Sequence, residues 1–90
     1  MFAKDINQNE MIALAIGLHA RGIKFNSRSR LGGLQICAKG WDAICNCGSY
    51  GHDDGLIEVM GLPQCKNDVL GFLTAEQILA MIDENNACGK

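Results

Sequence analysis

A change of hydrophobic period divides this chain: apolar residues recur at helical spacing at both ends and at every second position between them. That pattern requires helices packed on a sheet. At the first end, Asn7 is placed to cap, Glu10 stands three residues on as its capping-box partner, and Ile6 precedes the cap where it can staple onto Met11. Met11, Ile12, Leu14, Ala15, Ile16 and Leu18 follow, and Gly22 is placed to end the helix in the left-handed conformation. The same grammar returns near the other end. Thr74 caps, Gln77 reaches back, Leu73 staples onto Ile78, and Ile78, Leu79, Met81 and Ile82 form the stripe that faces inward. The spacing predicts helices over about 8–21 and 75–86.

Between the helices the period falls to two, in Ile23 and Phe25, Leu31, Leu34-Ile36-Ala38 and Trp41-Ala43-Cys45. Strands are expected over about 23–27, 31–38 and 41–47, with Gly32-Gly33 and Lys39-Gly40 as hairpin turns. A fourth is expected over 55–60, with Ile57 and Val59 toward the core. If Lys39-Gly40 is a loop, Ala38 faces Trp41, Ile36 faces Ala43 and Leu34 faces Cys45; if Gly32-Gly33 is the other, Leu31 faces Leu34. All the apolar rows then share one side. The fold class is therefore α+β: an N-terminal helix, an antiparallel meander of three to four strands and a C-terminal helix, both helices on one face. Residues 61–72 read as irregular.

The other face of that sheet carries Lys24, Asn26, Arg28, Arg30, Gln35, Cys37, Lys39, Asp42, Ile44 and Asn46, joined by Leu56, Glu58 and Met60. It is polar and locally basic, although the whole chain has a net charge of -2 and so exerts no global pull on nucleic acid or anionic membrane. Ninety residues form one domain that buries roughly two-thirds of its unfolded surface, leaving little room for a deep cleft. The first residues lack an export signal and the longest apolar run, Met11 to Ile16, is far too short to span a bilayer, so the expected location is cytoplasmic, with no membrane partner. An odd count of five cysteines fits reduced thiols in that compartment.

Three constellations invite chemistry. Cys45, Cys47, His52 and Cys65 are ligand types that zinc takes, but there is no C-x-x-C, and Cys37 and Cys45 fall on opposite faces of the sheet. Cys47, His52 and Asp53 or Asp54 have the types of a nucleophile, base and orienting acid, yet all lie in or beside one glycine-rich loop, 48–55, without rigid support. The row Lys24, Arg28, Arg30 and Lys39 could hold phosphates, but Phe25 and Trp41 belong to the core side and leave no rings on which bases could stack. No enzyme, cofactor or metal follows from these patterns. The alternatives to a protein-binding surface are a nucleotide-sequestering ligand module and a zinc-binding interaction module.

The stretch 48–61, GSYGHDDGLIEVMG, followed by 71–78, GFLTAEQI, resembles small proteins encoded by phages and prophages of Gram-positive bacteria. That resemblance implies a non-enzymatic protein that inhibits a host defence protein, in the manner of anti-CRISPR proteins, by occupying its surface. The implied partner is a host protein, including one that handles nucleic acid, inside the host cell. The expected contact residues are Lys24, Arg28, Arg30, Lys39, Ile44, Tyr50, His52, Leu56 and Met60. The patterning names no oligomeric state.

Overall fold

The computed structural model describes residues 7–30, 32–46 and 54–88. Within them the order is α1 (Asn9–Ala20), β1 (Phe25–Arg30), β2 (Gly33–Ala38), β3 (Trp41–Cys45), β4 (Ile57–Met60), a 3-10 turn at Pro63–Cys65, β5 (Val69–Leu73) and α2 (Ala75–Cys88). The sheet is a five-stranded antiparallel meander in the order β1-β2-β3-β4-β5, and the helices pack against it.

α1 buries Met11, Leu14 and Leu18 along one stripe. Its end is the expected one: Gly22 has φ +70, Ile23 N–H donates to the Leu18 carbonyl at 3.0 Å and Gly22 N–H to that of His19 at 3.0 Å, so the last carbonyls are satisfied by a left-handed glycine. Its start differs from expectation. Asn7 Oδ1 accepts from Asn9 N–H at 2.8 Å, but Glu10 does not reach back to it. Instead Glu10 Oε1 accepts from the N–H of Ala75, the first residue of α2, at 2.7 Å. Ile6, expected to staple this helix, lies outside the described residues.

α2 forms the expected capping box. Thr74 N–H donates to Gln77 Oε1 at 2.8 Å and Gln77 N–H returns to Thr74 Oγ1 at 3.2 Å. Ala75 N–H is an orphan that this box does not serve, and Glu10 supplies its acceptor while placing a carboxylate at the positive end of the helix. Near the other end of α1, Arg21 forks onto Asp83, with Nε–Oδ1 and Nη2–Oδ2 both 2.8 Å. Between these ties, Gly17 leaves the space that Leu79 fills. The two helices therefore run side by side in the same direction.

In the β2–β3 ladder, Leu34 pairs with Cys45, Ile36 with Ala43 and Ala38 with Trp41, as expected. The β1–β2 hairpin is corrected. Leu34 pairs with Ser29 rather than Leu31, Arg30 with Gly33, and β1 occupies 25–30 rather than 23–27. Gly33 belongs to β2, where a Cβ would strike the carbonyl oxygen of Cys45. The slip is of two residues, which leaves every side chain on its predicted face. Ser27 and Ser29 on the helix side are exposed, so no apolar alternation marks this half of β1.

The segment expected to be irregular contains a fifth strand. After the 3-10 turn, Lys66 and Asn67 have φ 53 and 67, and Asp68 N–H donates to the Cys65 carbonyl at 3.0 Å, a tight turn that sends the chain back along β4. Reciprocal amide bonds between Gln64 and Asn85, 2.9 and 3.1 Å, fasten this connection to α2. β5 pairs Val69 with Met60, Leu70 with Val59 and Leu73 with Ile57, so Gly71 and Phe72 together oppose Glu58 in a bulge. Phe72 sits there at φ 59, a left-handed conformation that costs a bulky residue about 1–2 kcal/mol. The core gathers Ile36, Ala43, Cys45, Ile57, Val59, Leu62, Cys65, Ala75, Ile78 and Ile82 around the α1 stripe.

Glu10→Ala removes the acceptor at the start of α2 and is expected to lower stability by about 1–2 kcal/mol in urea titration. Hydrogen bonding to Arg21 holds the Asp83 carboxyl below its ordinary value of 3.8. A depressed carboxylate pKa stabilises the fold above the unfolded value, and that contribution fades as the pH falls through the folded one. The melting-temperature gap between wild type and Asp83→Asn should therefore be full near neutral pH and close as the pH falls below the ordinary carboxylate range.

Candidate functional site

Register sorts the outer face of the sheet into columns. β1 presents Asn26 and Arg28, and its last residue is Arg30; β2 presents Gly33, Gln35 and Cys37; β3 presents Asp42 and Ile44; β4 presents Glu58 and Met60; β5 presents Val69 beside the bulge. Charge is graded across these columns. The cations lie along β1 and its ends, the carboxylates Asp42 and Glu58 in the middle, and apolar Met60, Val69 and Phe72 toward β5.

Arg28 and Gln35 are cross-strand partners, and Arg28 Nε donates to Gln35 Oε1 at 2.8 Å. Gln35 Nε2 donates in turn to Asp42 Oδ2 at 3.2 Å. The result is a hydrogen-bonded row across three strands, ending beside Met60, which pairs with Asp42. Lys24 and Lys39 are exposed and flank the Phe25–Ala38 pair, so the fold brings these two cations together at one end of β1. Arg30 closes the opposite end of the ladder. Ile44 is half-buried between Gln35 and Glu58. Leu56 is half-buried just ahead of β4, and Met60 is 45% exposed at its end. A shallow depression of about 420 Å³, bordered by Gln35, Cys37, Trp41, Asp42, Met60 and Gly61, opens on this face. Tyr50 and His52 lie outside the described residues, as does Cys47.

One expectation for this face is corrected. Asn46 was placed on the polar side, yet it is only 2% exposed, because β3 ends at Cys45 and the alternation stops there. Asp42 lies on this face as expected, in its middle, and receives the row that begins at Arg28. Lys24, Arg28 and Lys39 keep their expected exposure.

The described thiols are separate. Cys45 is buried, and burial pushes its thiol up, so it is held protonated; its Sγ lies 3.6 Å from the Asn7 carbonyl oxygen. Cys65 is buried elsewhere, its Sγ 3.5 Å from the Val59 carbonyl oxygen. Cys37 is half-buried on the outer face. Among the described residues no group of three or more His, Cys, Asp or Glu side chains is placed to hold a metal ion, and no helix is long and apolar enough to cross a membrane.

Sequence patterning missed Gln8 and Phe72. Gln8 Nε2 donates to the Cys45 carbonyl at 3.0 Å and its Oε1 accepts from Leu34 N–H at 3.3 Å, so one amide ties the start of α1 to β2 and β3. A lone glutamine before a helix carries no signal for such a bridge. Phe72 could have been found, since Val69-Leu70-Gly71-Phe72-Leu73 is a short apolar run bounded by polar residues.

Compared with models of protein families, with curated proteins and with solved structures, the chain matches none.

In the folded protein, an alkylating reagent should modify Cys37 on the order of a hundredfold faster than Cys45 or Cys65, which become reactive only through opening of the core. Peptide mass spectrometry over a labelling time course checks the order.

Proposed function

We propose that this chain is a non-enzymatic binding protein whose outer sheet face docks on an acidic surface of another protein. The Arg28–Gln35–Asp42 row carries the reading. Its hydrogen bonds limit the rotamers of an exposed arginine before any partner arrives, which reduces the entropy lost on binding. The guanidinium nitrogens not engaged with Gln35 remain able to take a partner carboxylate in a forked geometry. Lys24 and Lys39 add charge at one end of the same edge, and Met60 with half-buried Ile44 adds apolar area next to it.

A flat face of this kind suits a protein better than a reacting small molecule. The depression on it is shallow, and the described thiols nearest the core are buried and apart. An ordinary interface needs about 800 Å² from each side, an area that one face of a domain this size can provide. Stacking of single-stranded bases is not favoured, since Phe25 and Trp41 pack against the core from the other side and the exposed ring of Phe72 stands on β5, at the opposite edge from the cations of β1. The resemblance of residues 48–61 and 71–78 to small phage proteins points to a host defence protein as the partner, inhibited by having a working surface covered.

The test uses affinity-tagged wild type and a variant carrying Arg28→Glu, Arg30→Glu and Lys39→Glu, each incubated with host lysate under reducing conditions at low and high salt. A stoichiometric partner should be retained by the wild type, more weakly at high salt, and lost by about tenfold or more in the variant while its melting temperature is little changed. Equal capture by both proteins would remove this face from consideration.

A further inference from the structure

The sheet has two edges, and they are chemically opposite. β1, FNSRSR, carries two arginines, the usual protection against unwanted strand pairing. β5, VLGFL, carries no charge and no proline, and among the described strands it pairs only with β4. Its outer row of backbone donors and acceptors is a template for an extended strand. A second observation falls at the same place. Phe72 combines a left-handed backbone with a side chain that is 60% exposed, so among the described residues a strained aromatic is presented to water. Register sets it opposite Glu58, beside the Val69–Met60 pair, and Met60 is itself exposed.

We propose that the β5 edge pairs with β5 of a second copy of this chain, antiparallel across a two-fold axis, with Phe72 of each copy closing over the joint. An extended strand is the occupant that matches an open backbone edge, and three features select a copy of β5 itself. Its lack of charge allows it to meet itself without repulsion, whereas pairing of β1 with β1 would bring Arg28 and Arg30 against their own copies. Pairing of β5 with β1 would leave a free edge at each end and grow without limit, while the two-fold arrangement closes. Gly71, at the middle of β5, lets two backbones approach closely there. A bulge often blunts an edge, but such protection does not require an exposed phenylalanine, and here it ends the pairing stretch after Gly71. A two-fold axis perpendicular to the sheet keeps both outer faces on one side, so the dimer would present two basic edges flanking an apolar centre.

Sedimentation velocity with a reductant present, from about 5 to 500 µM, reads the association directly. Wild type should pass from monomer to dimer within that range, since the edge is smaller than an ordinary interface. Phe72→Gly suits the left-handed backbone, so it should melt no lower than wild type and yet weaken association at least about tenfold. Val69→Lys should do the same by setting like charges against each other. Ile16→Lys, on the exposed side of α1, should leave association unchanged. A wild type that stays monomeric throughout would overturn the proposal. So would species larger than a dimer, or a dimer that survives Phe72→Gly and Val69→Lys but is lost in Ile16→Lys.

Discussion

The fifth strand governs how the two helices meet. In an antiparallel meander with an odd number of strands, the first and last strands point the same way. α1 turns back into β1 through residues 21–24, and α2 leaves β5 through Thr74 alone, so each helix runs against the strand it adjoins. Both helices consequently share a direction, and their N-termini lie together. That is why a glutamate in the first turn of α1 can serve a backbone N–H in the first turn of α2, and why Arg21 meets Asp83 further along. A sheet of four strands would have reversed α2 and separated all of these groups.

The same count determines what each side of the sheet can do. With both helices covering one side, the other is left open, and its composition follows strand by strand from which residues alternate outward. β1 contributes arginines, β3 and β4 contribute carboxylates, and β5 contributes hydrocarbon. A graded face recognises orientation as well as charge, because a partner turned through half a circle would set its own acidic and apolar areas against the wrong columns.

Much of this was legible in the residues, and the failures have distinct causes. Hydrophobic period and capping chemistry located α1, β2, β3, β4 and α2 and predicted three of the β2–β3 pairs, because burial on one side forces strict alternation there. β1 was misplaced by two residues because Ser27 and Ser29 on the helix side are exposed and give no apolar signal. β5 was hidden by its bulge and the polar turn Lys66-Asn67-Asp68 just ahead of it. Glu10 was given the right kind of role in the wrong helix. Spacing along one chain shows which side chains can cap, but the donor they reach is decided by which helix lies beside them. The outer face was identified from register parity alone, which is why a two-residue slip left it intact. The bonds that join Arg28, Gln35 and Asp42 needed side-chain positions.

The two edges of the sheet carry opposite solutions to one problem. An open strand edge invites pairing, and arginine on β1 discourages it at the cost of leaving cations exposed. Those same cations are then available to an acidic partner, so protection of the edge and recognition by the face draw on one set of side chains. β5 has no such charge, and its own Phe72 and the neighbouring Met60 add exposed hydrocarbon there. Placing charge at one edge and hydrocarbon at the other sets the cations of β1 and the open backbone of β5 on opposite sides of the sheet. A protein bound along β1 and a strand added at β5 would therefore not compete, and pairing through β5 would leave each basic edge at the outside of the assembly, where it remains accessible.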